Sequence, residues 1–281
     1  MIKRVAILGA GLLGGSVAIS AQQNIPTLEV ALWARNPDAV NQAKAIGLSG
    51  ATVDFEEAVR GADLIILATP VGSMEDLTAR ILEIRGNEKF MITDVGSVKR
   101  LPHEKIDSLI ENTQVSYVGS HPMAGSEKKG ISAAFGELLN GAACIVTSND
   151  MERDAQDMES LDTFWSALGC RVRKMSPEDH DYAVARISHF PHAMASMTAM
   201  VGLSFEDIAE LAGGGLRDTT RVAAGDPDLW TEIMLENRDA LQRSVTESIS
   251  ELHQFQQILK DNDENAMRSY LVEAKRRRDL I

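Results

Sequence analysis

Seven short apolar runs in the first 175 residues limit what this chain can become. They are RVAILGA, LEVALWA, ADLIILATP, KFMITDV, VSYVGS, GAACIVT and CRVRKM. Several are apolar at consecutive positions, where a half-exposed strand would alternate. That is the pattern of strands buried on both faces, as in a parallel sheet. Helix-like segments lie between them, at 12–23, 37–46 and 73–84. Strand and helix in alternation predict a doubly wound α/β sheet.

After Met175 the pattern changes. Ser176-Pro177-Glu178-Asp179 reads as a helix start, with a capping serine, proline in the first turn and two acids beside the helix dipole. Helices are expected over 177–201, 204–211, 227–260 and 263–278, and no strand. We therefore expect two domains, 1–175 and 176–281. The second carries Met- and Ala-rich faces such as HAMASMTAM (192–200), more apolar surface than one sheet can cover, so a homodimer through this half is expected.

The formal net charge of −13 argues against a nucleic-acid or anionic-membrane partner. The basic AKRRRDLI at 274–281 reads as a solvated helix end. Cys144 and Cys170 both sit in apolar strand-like context and are expected to be buried thiols in a reducing cytoplasm. With no C-x-x-C pair and no Cys/His quartet, no metal is expected. The N-terminal apolar run is too short for a membrane span and reads as a first strand.

GAGLLG, from Gly9 through Leu12 and Leu13 to Gly14, is G-x-G-x-x-G placed between a strand and a helix, the context in which the motif binds a dinucleotide in a Rossmann-type fold. Gly9 allows the tight turn, Gly11 lets the backbone approach a pyrophosphate, and Gly14 lets helix and strand pack closely. The helix N-terminus then faces the anion. The position of the usual ribose-binding acid holds Ala34, followed by Arg35. A guanidinium can clamp a 2′-phosphate, so NADP is expected over NAD, the alternative being that Arg35 stacks on adenine. Thr69 and Pro70 end a strand and are expected on the nicotinamide side of the crevice.

Four clusters remain. DVGSVK (94–99) carries Ser97 at a strand end. HPMAG (121–125) sits in a polar loop, GSHPMAGSEKKG, that resembles neither strand nor helix. SHFPHA (188–193) holds Ser188, His189 and His192, with Pro191 expected to kink the helix. GGGLRDTTRVAAGDPDLW (213–230) holds Arg217, Asp218, Arg221 and Trp230.

Together these motifs, spread over essentially the whole chain, resemble the prephenate/arogenate (cyclohexadienyl) dehydrogenase family of tyrosine biosynthesis. The resemblance implies oxidative decarboxylation of prephenate to 4-hydroxyphenylpyruvate, or of arogenate to tyrosine, with hydride transfer to NAD(P)+. It also implies roles. His121 accepts the ring hydroxyl proton, which a neutral imidazole is matched to do. Ser97 hydrogen-bonds the same hydroxyl. Arg221 binds a substrate carboxylate. His192, Ser188 and His189 meet the substrate from the helical side, and Trp230 closes a wall. Glu127 and Arg217 form an ion pair gating the pocket. Asp218 is expected to be structural, Trp33 and Trp165 to be packing residues, and His103, His180 and His253 to have no role. Two alternatives stand beside this: a β-hydroxyacid dehydrogenase or imine reductase, whose expected lysine is missing near 178–200, and a catalytically silent NADP-sensing dimer.

Overall fold

The apolar runs become strands because residues such as Val5, Ile7, Leu64 and Ile66 find cover on one face of a sheet while Ala6, Leu8, Ile65 and Leu67 find it on the other. The computed structural model describes residues 2–125 and 128–281. The chain runs β1 (Arg4–Leu8), α1 (Leu12–Asn24), β2 (Glu29–Trp33), α2 (Pro37–Ala45), β3 (Ala51–Thr52), α3 (Phe55–Val59), β4 (Leu64–Leu67), α4 (Met74–Arg85), β5 (Met91–Asp94), α5 (Arg100–Ile110) and β6 (Ser116–Tyr117). These six strands form one sheet in the order β3-β2-β1-β4-β5-β6, all pairs parallel. This is the expected Rossmann-type sheet.

The last three runs depart from the expectation of a single sheet. β7 (Gly119–Pro122), β8 (Ala143–Thr147) and β9 (Arg171–Met175), with α6 (Ala155–Ala167) before β9, make a separate sheet of order β7-β8-β9, and β7 lies antiparallel to β8. The run VSYVGS is cut in two at Val118, whose N–H still bonds Ile92 O of the first sheet. Gly119 sits at the diversion. A Cβ there would lie 2.6 Å from Thr147 Oγ1 and 2.9 Å from the Lys99 side chain, so only glycine passes. His121 is therefore in a strand, paired with Ile145, and not in the loop that its Pro/Gly neighbours suggested. Pro122 is tolerated because β7 is an edge strand, which need not donate on both sides.

The second half is helical: α7 (Pro177–Val184), a π-helical turn at Ala185–His189, α8 (Phe190–Gly202), a 3₁₀ segment at Glu206–Leu211, α9 (Gly214–Thr220), α10 (Pro227–Glu236), α11 (Arg238–Asp261) and α12 (Glu264–Arg278). Two long helices expected from periodicity are interrupted. The first carries the π-turn directly ahead of Pro191, a feature frequent at functional sites. The second breaks at Asn237, which is buried and bonded to other helices. Little apolar surface is covered here. Met200, Val201, Phe205 and Leu211 are each more than 70% exposed, with Leu252, Leu259 and Leu271 exposed on α11 and α12. Among the described residues no helix is long and apolar enough to cross a membrane. Cys144 and Cys170 are free and buried.

Candidate active site

The glycines of the first turn divide into two kinds. Gly9 has φ +128°, and a Cβ on it would overlap Ala68 O; a Cβ on Gly14 would overlap Gly9 O and lie 2.9 Å from the Ala68 side chain. Both positions demand glycine for the turn and the packing of α1 on the sheet. Gly11 is different, since a Cβ there would meet nothing within 4 Å. Its freedom is toward open space, and that space is a cavity of about 420 Å³. Leu12, Leu13, Thr69, Pro70, Ser97 and Trp230 are among its lining residues. Helix α1 starts at this cavity with no side-chain cap and no acid in its first turn, leaving its N–H groups free to face an anion. The residues present thus suit a dinucleotide. Arg35 lies exposed just after β2 and does not line the cavity.

Ser97 is carried on the turn between β5 and α5, and that turn is held from within. Lys99 is fully buried, and its Nζ donates to Asp94 Oδ2 (2.5 Å), Gly96 O (2.8 Å) and Val98 O (3.1 Å). Asp94 also accepts from Gly96 N, Tyr117 Oη and Ser120 N. Every acceptor position of this buried carboxylate is used, which is what makes its burial tolerable. Ser120 in turn links to Thr93 Oγ1 and takes the indole N–H of Trp165, so Trp165 does more than pack.

His121 is buried on β7, and the chain after the strand continues into Ala124 and Gly125 on the cavity wall. Its Nδ1 lies 2.8 Å from His180 Nε2, and His180 Nδ1 lies 2.7 Å from Asp181 Oδ1. Burial, then the positive character of His180, Lys99 and His189, pushes the His121 imidazole well below its ordinary value. Burial likewise pulls His180 down, against the hydrogen bond and charge of Asp181. For Asp181 burial acts upward, but the bond and charge of His180 and the N–H groups of Arg100 and Lys99 together outweigh it, and the carboxyl lies below its usual value. Both imidazoles are neutral near pH 7 beside an ionised carboxylate.

The helical half closes the site. His192 stacks on Trp230, ring centroids 3.6 Å apart and planes 19° apart, and Trp230 faces the cavity. Among the described residues, the Nδ1 of His192 and the Nε2 of His189 are buried without a hydrogen-bond partner. Neither histidine lines the cavity itself, and both rings pack against Trp230, which does. His189 holds Asn237 through its other nitrogen (3.1 Å), and burial pushes it down to about 4. Ser188 is half-buried in the π-turn. Arg217 and Arg221 are exposed and do not line the cavity. Glu127 lies outside the described residues, so the expected pair with Arg217 does too. Among the described residues no group of three or more His, Cys, Asp or Glu could hold a metal.

Four functional-looking residues escaped the sequence reading: His180, Asp181, Glu232 and Glu236. His180-Asp181 lies in a stretch whose acids read only as helix capping, and nothing in the spacing shows that it is buried against His121. Glu232 accepts from Gly72 N (3.2 Å) across the cavity, and burial plus the charge of Glu232 pushes Glu236 up to about 7.

Residues 17–174 match the family model "Prephenate dehydrogenase, nucleotide-binding domain", and residues 176–273 match "Prephenate dehydrogenase, dimerization domain". The chain belongs to the prephenate dehydrogenase family. It is 32% identical to a cyclohexadienyl dehydrogenase of Zymomonas mobilis, over 99% of this chain and 96% of that one. It is 31% identical to a prephenate dehydrogenase of Bacillus subtilis, over 98% of this chain and 75% of that one. Among solved structures it resembles the Aquifex aeolicus prephenate dehydrogenase in complex with hydroxyphenyl propionate and NAD+, with TM-score 0.88, 27% identity and coverage of 99% and 98%. The Synechocystis arogenate dehydrogenase gives TM-score 0.82 and 26% identity, covering 98% of this chain and 99% of that one. Like other members of this family, the chain is an oxidoreductase with a nucleotide-binding half.

Proposed function

We propose that this enzyme carries out the oxidative decarboxylation of prephenate, of arogenate, or of both. The observation that carries the reading is a neutral, buried His121 on the strand leading into a glycine-floored dinucleotide cleft whose wall also includes Ser97. The substrate must lose a hydroxyl proton, a hydride and a carboxylate. His121 takes the proton, because a neutral imidazole has a lone pair to offer at neutral pH. Ser97 orients the same hydroxyl. Trp230 and His192 form an apolar plate for the ring, and the free nitrogens of His189 and His192 meet its polar groups. Ser188, half-buried in the same π-turn, and the exposed Arg221 lie in the helical half, where Arg221 can approach a substrate carboxylate. The nicotinamide cofactor supplies the hydride acceptor when bound. Gly11, the first turn of α1, Thr69 and Pro70 would hold it.

NADP is our preferred cofactor. The reading is supported by Arg35, exposed just after β2 and able to clamp a 2′-phosphate, and by Ala34, which leaves no acid to repel one. We also propose that 1–175 is the cofactor half and 176–281 the substrate and dimerisation half, and that the uncovered apolar faces of the helices meet a second copy. The Glu127–Arg217 gate remains part of this proposal. The free buried thiols suit a cytoplasmic address.

The test is a steady-state assay of prephenate and arogenate, each with NAD and NADP, followed at 340 nm, with His121→Asn as the control. Turnover of either acid, abolished in the control, supports the reading. Silence with all four pairs while NADPH still binds refutes it, and turnover of 3-hydroxy acids instead would favour the hydroxyacid dehydrogenase alternative.

A further inference from the structure

Helix α5 begins without a cap of its own. Its N-cap residue, Lys99, makes no capping bond, and the first turn contains no acid. An uncapped helix start normally leaves N–H groups unsatisfied. Here the cap comes from the other half of the molecule. Asp181, buried on α7, accepts from Lys99 N through Oδ1 (2.7 Å) and from Arg100 N through Oδ2 (3.0 Å). The same Oδ1 faces His180 Nδ1. Its backbone carbonyl accepts from Asn237 Nδ2 (2.8 Å), the residue that also holds His189.

We propose that Asp181 is a positioning residue that ties the turn of Ser97 to His121 and sets the tautomer in which His121 acts. The proposal rests on the reading of His121 as the base. An ionised carboxylate accepts only, so the proton of neutral His180 sits on Nδ1. Nε2 of His180 is then bare and can only accept, so His121 must donate from its Nδ1. Neutral His121 has one ring proton, and placing it on Nδ1 leaves Nε2 as the one nitrogen able to take a proton. Reverse the chain and His121 would present N–H where a base is needed. The carboxylate that sets this order also clamps the two N–H groups that follow Ser97 and Val98, so proton acceptor and hydroxyl partner move as one body.

The experiment reads tautomers directly. Protein labelled with ¹⁵N-histidine is examined by long-range ¹H–¹⁵N correlation at pH 7.5, with signals assigned through His121→Asn and His180→Leu. We expect both rings of the wild type in the Nδ1–H form. In Asp181→Ala both should move toward Nε2–H, kcat should fall about 100-fold, as for other removed orienting partners, and the cofactor KM should stay within about threefold. If the Ala variant does not fold, His180→Leu breaks the same chain while leaving Asp181 on Lys99 and Arg100, and the His121 tautomer and kcat should change in the same way. A wild-type His121 in the Nε2–H form overturns the proposal, and so does a variant with unchanged tautomers or with kcat within about threefold. Absence of any cyclohexadienyl turnover in the wild type would sink the proposed reaction instead, and the tautomer readings would still decide the positioning.

Discussion

Glu236 gives a sharp test of the electrostatics around the cavity. It sits half-buried at the end of α10, and burial together with the charge of Glu232 raises its carboxyl from 4.5 to about 7, against the pull of Lys105 and Lys99. A raised carboxyl keeps its proton in the folded protein while the unfolded chain has already released it. Stability therefore falls as pH rises through this window, and the full cost is present above pH 7. The difference between 4.5 and about 7 is worth about 3 kcal/mol at 1.36 kcal/mol per pKa unit. Solvent reaches half of the group, so we reduce this to about 1–2 kcal/mol. Gln cannot ionise. Glu236→Gln should thus be about 1–2 kcal/mol more stable than wild type at pH 8 and nearly equal to it at pH 4.5. His189 works in the opposite direction. Held at about 4 against 6.5 when free, it costs stability as pH falls from 6.5 toward 4, so wild type carries two opposed slopes and the Gln variant only one. Urea unfolding at pH 4.5, 6 and 8, at one protein concentration, measures this. A Gln advantage that is the same at all three pH values, or a loss at pH 8, refutes the reasoning.

Three further outcomes are expected. Lys99→Met leaves the buried Asp94 carboxylate without its cation and should destabilise the fold by about 3–5 kcal/mol in the same urea assay; a loss below about 1 kcal/mol would show the pair to be dispensable. Gly225→Ala sets a Cβ 2.6 Å from Trp230 Nε1 and 3.1 Å from His192 Cε1, so it should spread the stack and raise the substrate KM by about tenfold with NADPH affinity intact; an unchanged KM would remove Trp230 and His192 from the substrate site. The acid limb of kcat/KM should lie below the ordinary histidine value of 6.5, because the base stays neutral until its lowered pKa is reached, and a limb at or above 6.5 would argue against His121 as that base.

Much of the molecule was legible because it depends on neighbours in sequence. Doubly apolar runs read as buried strands, and five of the seven runs, joined by the short β3, form the expected parallel sheet. Gly9 is required by its positive φ and Gly14 by its close approach to Gly9 O, both within one turn, although each also meets the distant Ala68. Ser176-Pro177 starts a helix through contacts within one turn. What escaped was set by distant partners. Strand β7 leaves the first sheet at Gly119, where a Cβ would meet Thr147 and Lys99, and no local pattern around His121 records that crowding. The helix expected over 227–260 breaks at Asn237 because that side chain bonds Asp181 and His189, residues about 50 positions away.

The division within the active site has the same origin. Motif chemistry written in consecutive residues, from Gly9 to Gly14 and from Asp94 to Lys99, could be read before any fold was known. The pairing of His121 with His180, 59 residues apart, could not. A hydrogen-bonded chain through a buried carboxylate exists only where two halves of the molecule exclude water together, and His180-Asp181 written in sequence is merely polar. The residue types available for proton transfer were determined by the sequence alone. Which histidine is neutral, which carboxylate is ionised and which nitrogen is left bare are decided by burial and by partners that only the tertiary structure brings within 3 Å.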